Sequence, residues 1–187
     1  MKTFLNKTSN FILQSIKFSI GTFVLFSTID RCVFSIRKVD EIKSMSPSFN
    51  KGNNTTDYIL IYKYGYLKKI SKKDAKPQIA CINHPFDDTK QVVRFISAFP
   101  GEWIKGKNSE VYHKIPEGYC WVECLNGEDD SNTWGPIPLT LAYGKPILKV
   151  RPFTKIVTSK KINKNIKKKL NVKNRVLNED NINSFFL

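Results

Sequence analysis

The sequence predicts a mainly β protein, a folded antiparallel sheet or barrel-like domain carried behind an N-terminal membrane helix. Three observations predict it. Residues 57–150 hold many short runs of β-branched and aromatic residues separated by Gly, Pro and Asn turn signals, and no convincing helical period follows residue 40. Residues 11–29 are apolar apart from Lys17 and small polar side chains. The charge is lopsided: eight lysines and one arginine between Lys155 and Arg175, with no acid, supply +9 of a formal +15. The organisation expected is therefore 1–38, a targeting or membrane-anchor segment; 39–154, the β domain; and 155–187, a basic Lys/Asn-rich tail. A chain of 187 residues can enclose one real core, and its four cysteines do not make a disulfide scaffold.

The first 29 residues contain Lys2, Lys7 and Lys17, several Ser and Thr, and no acid, the composition of a mitochondrial targeting region. A helix from Phe11 to Ile29 would be about 28 Å long, close to the roughly 30 Å hydrocarbon core of a bilayer. Lys17 would cost a few kcal/mol near the bilayer centre, less if it snorkels. A membrane anchor, a cleaved presequence and an amphipathic surface helix all fit this stretch. Asp30, Arg31, Arg37 and Lys38 mark a return to water.

The stretch Glu41-Ile42-Lys43-Ser44-Met45-Ser46-Pro47-Ser48-Phe49 places a serine at the entry to a turn. Pro47 fixes its own φ and keeps Ser46 out of the helical region. A hydroxyl held there fits a nucleophile, and it fits an ordinary turn equally well. Strands are then expected at Asp57–Tyr62, Gln78–Ile82 and Gln91–Phe99. A pair, Glu102–Ile104 and Glu110–Tyr112, is expected about a Gly106-Lys107-Asn108 turn, then Tyr119–Glu123 and Ile147–Val150.

In the tail, Ile162, Ile166 and Leu170 form one narrow apolar stripe among lysines. A solvated, partly disordered tail and a helix lying on anionic lipid are the two readings. No aromatic residue lies between Lys155 and Arg175 for bases to stack on, so nucleic acid is not an expected partner. His84 and His113 fall in separate segments, which gives no support to a Ser-His pair or a zinc site. No metal or cofactor is expected. Cys120 and Cys124 would stand about 13 Å apart on one strand, too far for a disulfide, and read as small buried hydrophobes.

Four segments in order carry a family resemblance: Ser44-Met45-x-Pro47-Ser48, Phe99-Pro100-Gly101-Glu102, Gly118-Tyr119-Cys120-Trp121-Val122-Glu123, and Asp130-Ser131-Asn132-Thr133-Trp134-Gly135-Pro136. Together they resemble the type I signal peptidases, and among them the subunit 2 branch of the mitochondrial inner membrane peptidases. The resemblance spans roughly Asp30 to Pro152. It implies a β-built serine endopeptidase held by a single pass in the mitochondrial inner membrane, its domain facing the intermembrane space. The implied task is removal of presequences from proteins delivered there. The implied partners are presequence-bearing substrates bound as extended strands, a related peptidase subunit, and inner membrane lipid.

By the same resemblance Ser44 is the nucleophile. The family's general base is a lysine, whose pKa burial can bring towards neutrality. It lies six residues before the position of Pro100, and that residue here is Arg94. Bringing lysine, near 10.4, down to about 8 costs about 3 kcal/mol, whereas arginine, near 13.8, requires about 8 kcal/mol. Arg94 is therefore a poor general base. Lys90 lies four residues earlier on the same strand, about 13 Å away, and could substitute only through a bulge. Two further departures flank the site. Ile42 stands where the family has glycine or a serine that helps hold the oxyanion, a donor worth about 3 kcal/mol. Glu128 stands where the family has a serine beside the lysine, so a Glu128–Arg94 ion pair is expected. These changes raise an alternative: a catalytically degenerate subunit that stabilises an active sister peptidase.

Overall fold

The computed structural model describes residues 2–39, 45–49, 57–72, 75–107, 109–127, 129–151 and 155–177. Helix α1 (Lys2–Cys32) leads directly into strand β1 (Phe34–Lys38), with Val33 N donating to Ile29 O at the junction. Its segment Phe11–Cys32 has mean hydropathy 1.5 and projects away from the domain, long and apolar enough to cross a membrane. At 1.5 Å per residue these 22 residues reach about 33 Å. Four hydroxyls on it, of Ser15, Ser19, Thr22 and Thr28, each donate to the carbonyl four residues back, which satisfies them without water.

The β domain follows as β2 (Tyr58–Tyr62), α2 (Tyr66–Ile70), β3 (Gln78–His84), β4 (Asp87–Ala98), β5 (Trp103–Lys105), β6 (Tyr112–Lys114), β7 (Tyr119–Glu123), α3 (Ser131–Trp134), β8 (Ile137–Pro138), β9 (Ala142–Arg151), β10 (Lys155–Thr158), α4 (Ser159–Leu170) and β11 (Val176–Leu177). The main sheet runs in the order β1-β2-β9-β3-β4-β7-β8, with β10 also on β9, and every pairing is antiparallel. Strands β11, β5 and β6 make a small second sheet.

Side chains alternate faces along a strand, so the sheet separates two apolar layers. Ile79 and Cys81 of β3 and Val93 and Phe95 of β4 point to a first layer, closed by Val39, Met45, Phe49 and α4. Ala80, Ile82, Val92 and Ile96 point to a second, closed by α2 and by Ile137 to Ala142. Strands covered on both faces read as continuous apolar runs, which is why β3 and β4 were visible in the sequence. Strands β2 and β9 approach closely at a register shift between Leu60 and Ile61. A Cβ on Gly144 there would stand 2.5 Å from Ile61 Cγ2 and 3.2 Å from Tyr62 O, so only glycine fits.

The tail corrects two expectations, a solvated and partly disordered segment and no helix after residue 40. Strand β10 extends the sheet beside β9, and α4 lays Ile162, Ile166 and Leu170 into the first layer. Each such side chain contributes about 1.5–3 kcal/mol on full burial, and the lysines keep the outer face. Asn163 Oδ1 accepts from Ile79 N at 2.8 Å. Asn171, with φ 48°, ends the helix in the left-handed conformation that asparagine tolerates. Strand β1 is an addition: Phe34–Lys38 reads as a polar membrane exit, yet it pairs with all five residues of β2.

Candidate active site

Between β1 and β4 lies a cleft of about 380 Å³, with Ile36 and Val39 on one wall, Gln91 and Val93 on the other, and Cys81 and Tyr143 lining it between them. Tyr143 Oη donates to Gln91 Oε1 at 3.1 Å, and burial pushes its phenol pKa upward, so it stays a donor. Burial likewise pushes the Cys81 thiol up to about 12, which makes it an inert part of the wall.

The segment Met45–Phe49 closes the first layer, whose Val39, Cys81 and Val93 also line the cleft. Met45 and Phe49 are buried and Phe49 N donates to Met45 O at 3.0 Å, which makes the segment one tight turn. Asn126 Nδ2 donates to Ser46 O at 2.7 Å, and Lys149 Nζ to Ser48 O at 2.6 Å. Val39, which precedes the segment and lines the cleft, donates its N–H to Asp57 O at 3.0 Å. Ser44, with Ile42, lies outside the described residues, as does Glu128.

Arg94 is described and fully buried. Its Nε donates to Asp129 O at 2.8 Å, its Nη1 to Val93 O at 3.0 Å, and its Nη2 meets Asp129 Oδ2 at 2.9 Å. The guanidinium carbon lies 5.7 Å from the centre of the Trp134 ring. Among the described residues Asp129 places a carboxylate on Arg94, and the expected Glu128 pairing lies outside them. His84 Nε2 takes the other Asp129 oxygen at 3.3 Å and packs edge-on against Trp134 at 4.8 Å.

This placement puts Arg94 on the second-layer face of β4, paired across from Ala80, while Met45 and Val39 lie on the first-layer face with Val93 and Phe95. The pairing of β4 with β7 slips by one residue between Ile96 and Ala98. Counting back six from Pro100 crosses this irregularity, and one residue of slip exchanges the faces. The β4 positions facing the serine turn are therefore Val93 and Phe95, neither of which can accept a proton. The β3–β4 register does shift at Lys90, the pairing passing from Asn83–Gln91 to His84–Asp87, but the Lys90 side chain is 69% exposed and its ammonium is held by Asp87 at 3.1 Å.

The family-pattern residues Asp130, Ser131 and Asn132 form a lock on the loop after β7. Asp130 accepts from Cys124 N at 3.0 Å, Asn132 N at 2.9 Å and Lys107 Nζ at 2.7 Å. Ser131 Oγ accepts from Val122 N at 2.9 Å. Burial pushes the Asp130 carboxyl up, but the Lys107 ammonium and these N–H donors outweigh it and hold the carboxyl below its usual range. Lys107 and Lys149 escaped the sequence reading, the first in a turn and the second as one lysine inside an apolar strand. Among the described residues no three His, Cys, Asp or Glu gather as a metal site, and His113 stacks on Trp121 away from His84.

No protein-family model matches the chain. Over 151 residues it is 29% identical to the mitochondrial inner membrane protease subunit 2 of Saccharomyces cerevisiae (strain ATCC 204508 / S288c), covering 78% of this chain and 84% of that protein. Over 135 residues it is 27% identical to the mitochondrial inner membrane protease subunit 2 of Danio rerio, covering 68% of this chain and 69% of that protein. Over most of its length the chain is thus similar in sequence to the subunit 2 proteins of the mitochondrial inner membrane protease.

Proposed function

We infer that this chain is a subunit of a signal-peptidase-type serine protease in the mitochondrial inner membrane, anchored by α1, which removes presequences from proteins sorted to the intermembrane space. The observation that carries this reading is the turn Met45–Phe49, pinned by Asn126 and Lys149 and packed in the apolar layer whose Val39, Cys81 and Val93 also line the cleft. Ser44, joined to Met45, is the nucleophile in this reading, which requires a proton acceptor other than Arg94 and Lys90. An extended substrate segment lies against the wall of β1 or β4, where the side chains of Ile36, Val39 and Val93 receive it. The related proteins are named as protease subunits, which supports a partner subunit in the working complex. The test is cleavage of a presequence-bearing substrate by the purified complex. Ser44→Ala is expected to abolish cleavage without changing the melting temperature, and undiminished cleavage would remove Ser44 from the mechanism.

A second reading, a catalytically degenerate subunit that stabilises an active sister, is favoured by one observation. Arg94 is sequestered with Asp129 on the far face, and β4 offers only Val93 and Phe95 towards the turn. If that reading holds, the wild-type chain contributes no cleavage of its own, and the Ser44→Ala complex cleaves as fast as the natural one.

A further inference from the structure

Lys149 sits in the middle of β9, paired across from Ile59, and is only 8% exposed. An apolar side chain would pack at such a position without penalty, whereas burying an ammonium costs several kcal/mol unless it is paired. Its Nζ meets Asp57 Oδ2 at 3.3 Å and donates to Ser48 O at 2.6 Å, and it lies 5.5 Å from the centre of the Phe49 ring. Asp57 is itself fully buried, and its carbonyl receives Val39 N at 3.0 Å. The same pair therefore touches both Val39 and the turn Met45–Phe49.

We propose that Lys149 and Asp57 form a buried clamp that positions the turn Met45–Phe49, the segment to which Ser44 is joined in sequence. Lys149 is a positioning residue. Its donors go to a backbone carbonyl of the turn and to a carboxylate, and Asn126 Nδ2 holds the same turn through Ser46 O at 2.7 Å. Two anchors on a five-residue turn leave it little freedom, and a misplacement of about 1 Å at a reacting atom can cost about 100-fold in rate. The proposal rests on Ser44 being the nucleophile, and its test separates the two ideas.

The test compares the full chain in its complex with the variant Lys149→Met/Asp57→Leu. This variant removes both charges together and so leaves no unpaired buried ion. Hydrogen exchange reads the Phe49 amide, which is bonded to Met45 O, and steady-state kinetics reads kcat and KM separately. The clamp predicts a melting temperature close to that of the natural chain, Phe49 exchange faster by about 10-fold or more, and a kcat lower by about 10- to 100-fold with KM nearly unchanged. Unchanged Phe49 exchange and unchanged kcat in a folded variant would overturn it. If this variant fails to fold, Lys149→Gln/Asp57→Asn, a neutral pair of similar shape, is read in the same way. If the natural chain shows no turnover, the nucleophile reading fails by itself, and the Phe49 exchange rate still decides the clamp.

Discussion

Arg175 provides the sharpest test of how the tail is held. Its side chain is 13% exposed and reaches Glu123, which is fully buried, through Nη1 at 2.9 Å and Nη2 at 2.8 Å. The same guanidinium caps the end of α4 through Leu170 O at 2.8 Å and holds Lys105 O at 3.0 Å. Replacing Arg175 by Met leaves the Glu123 carboxylate buried without its cation and the α4 carbonyl without its donor. Losing one partner of a buried ion pair costs about 3–5 kcal/mol, a large share of the roughly 5–15 kcal/mol that stabilises a domain. Glu123 retains the hydroxyl of Ser97, which argues for the lower half of that range. The assay is pulse proteolysis of the detergent-solubilised chain across a urea series. Arg175→Met is expected to raise the unfolded fraction at fixed urea by about 100-fold or more, since each 1.4 kcal/mol is tenfold. Arg175→Met/Glu123→Leu is expected to recover most of the loss, because it removes the stranded charge. A single variant within about 0.5 kcal/mol of the natural chain would refute the idea that the tail is locked by this pair.

Further outcomes follow from the same contacts. Asp130 has a folded pKa below its unfolded value near 3.9, so its contribution is fully present above about pH 4 and is lost as the pH falls through the folded value. Asp130→Asn should flatten that acid-side loss, and thermal melts between about pH 2 and 6 would show it. Gly144→Ala should destabilise the chain by about 1–3 kcal/mol, because its methyl meets Ile61 and the backbone of Tyr62, and chemical denaturation measures it. Burial lifts the thiols of Cys81, Cys120 and Cys124 to about 12. Iodoacetamide at pH 8 should therefore leave all three unmodified in the folded chain and label them in urea, as read by mass spectrometry.

Much of the sheet was legible because its strands announce themselves. Gln78–Ile82 and Tyr119–Glu123 are dense in β-branched and aromatic residues and bounded by turns. Strand β1 was hidden because Phe34-Ser35-Ile36-Arg37-Lys38 mixes charge with apolar residues, and only its pairing with β2 makes it a strand. The stripe Ile162, Ile166 and Leu170 was visible, but a stripe does not disclose what it packs against. The first layer and the Arg175–Glu123 pair that receive it come from residues far away in sequence. The motifs gave the order of the site's parts and not their faces. A slip of one residue between Ile96 and Ala98 turns Arg94 away from the serine turn, and no local pattern marks that slip. Lys149 was passed over because a buried ion pair depends on Asp57 arriving from another strand.

The most direct measurement is identification of the residue phosphonylated by a serine-directed phosphonate, or acylated by a slowly released presequence ester, when either meets the complex. An adduct mass on the peptide containing Ser44, absent from Ser44→Ala and present at full level in Arg94→Met, is the result predicted for a nucleophile whose activation does not involve Arg94. An adduct confined to the partner subunit, with the Ser44 peptide unmodified, would contradict it.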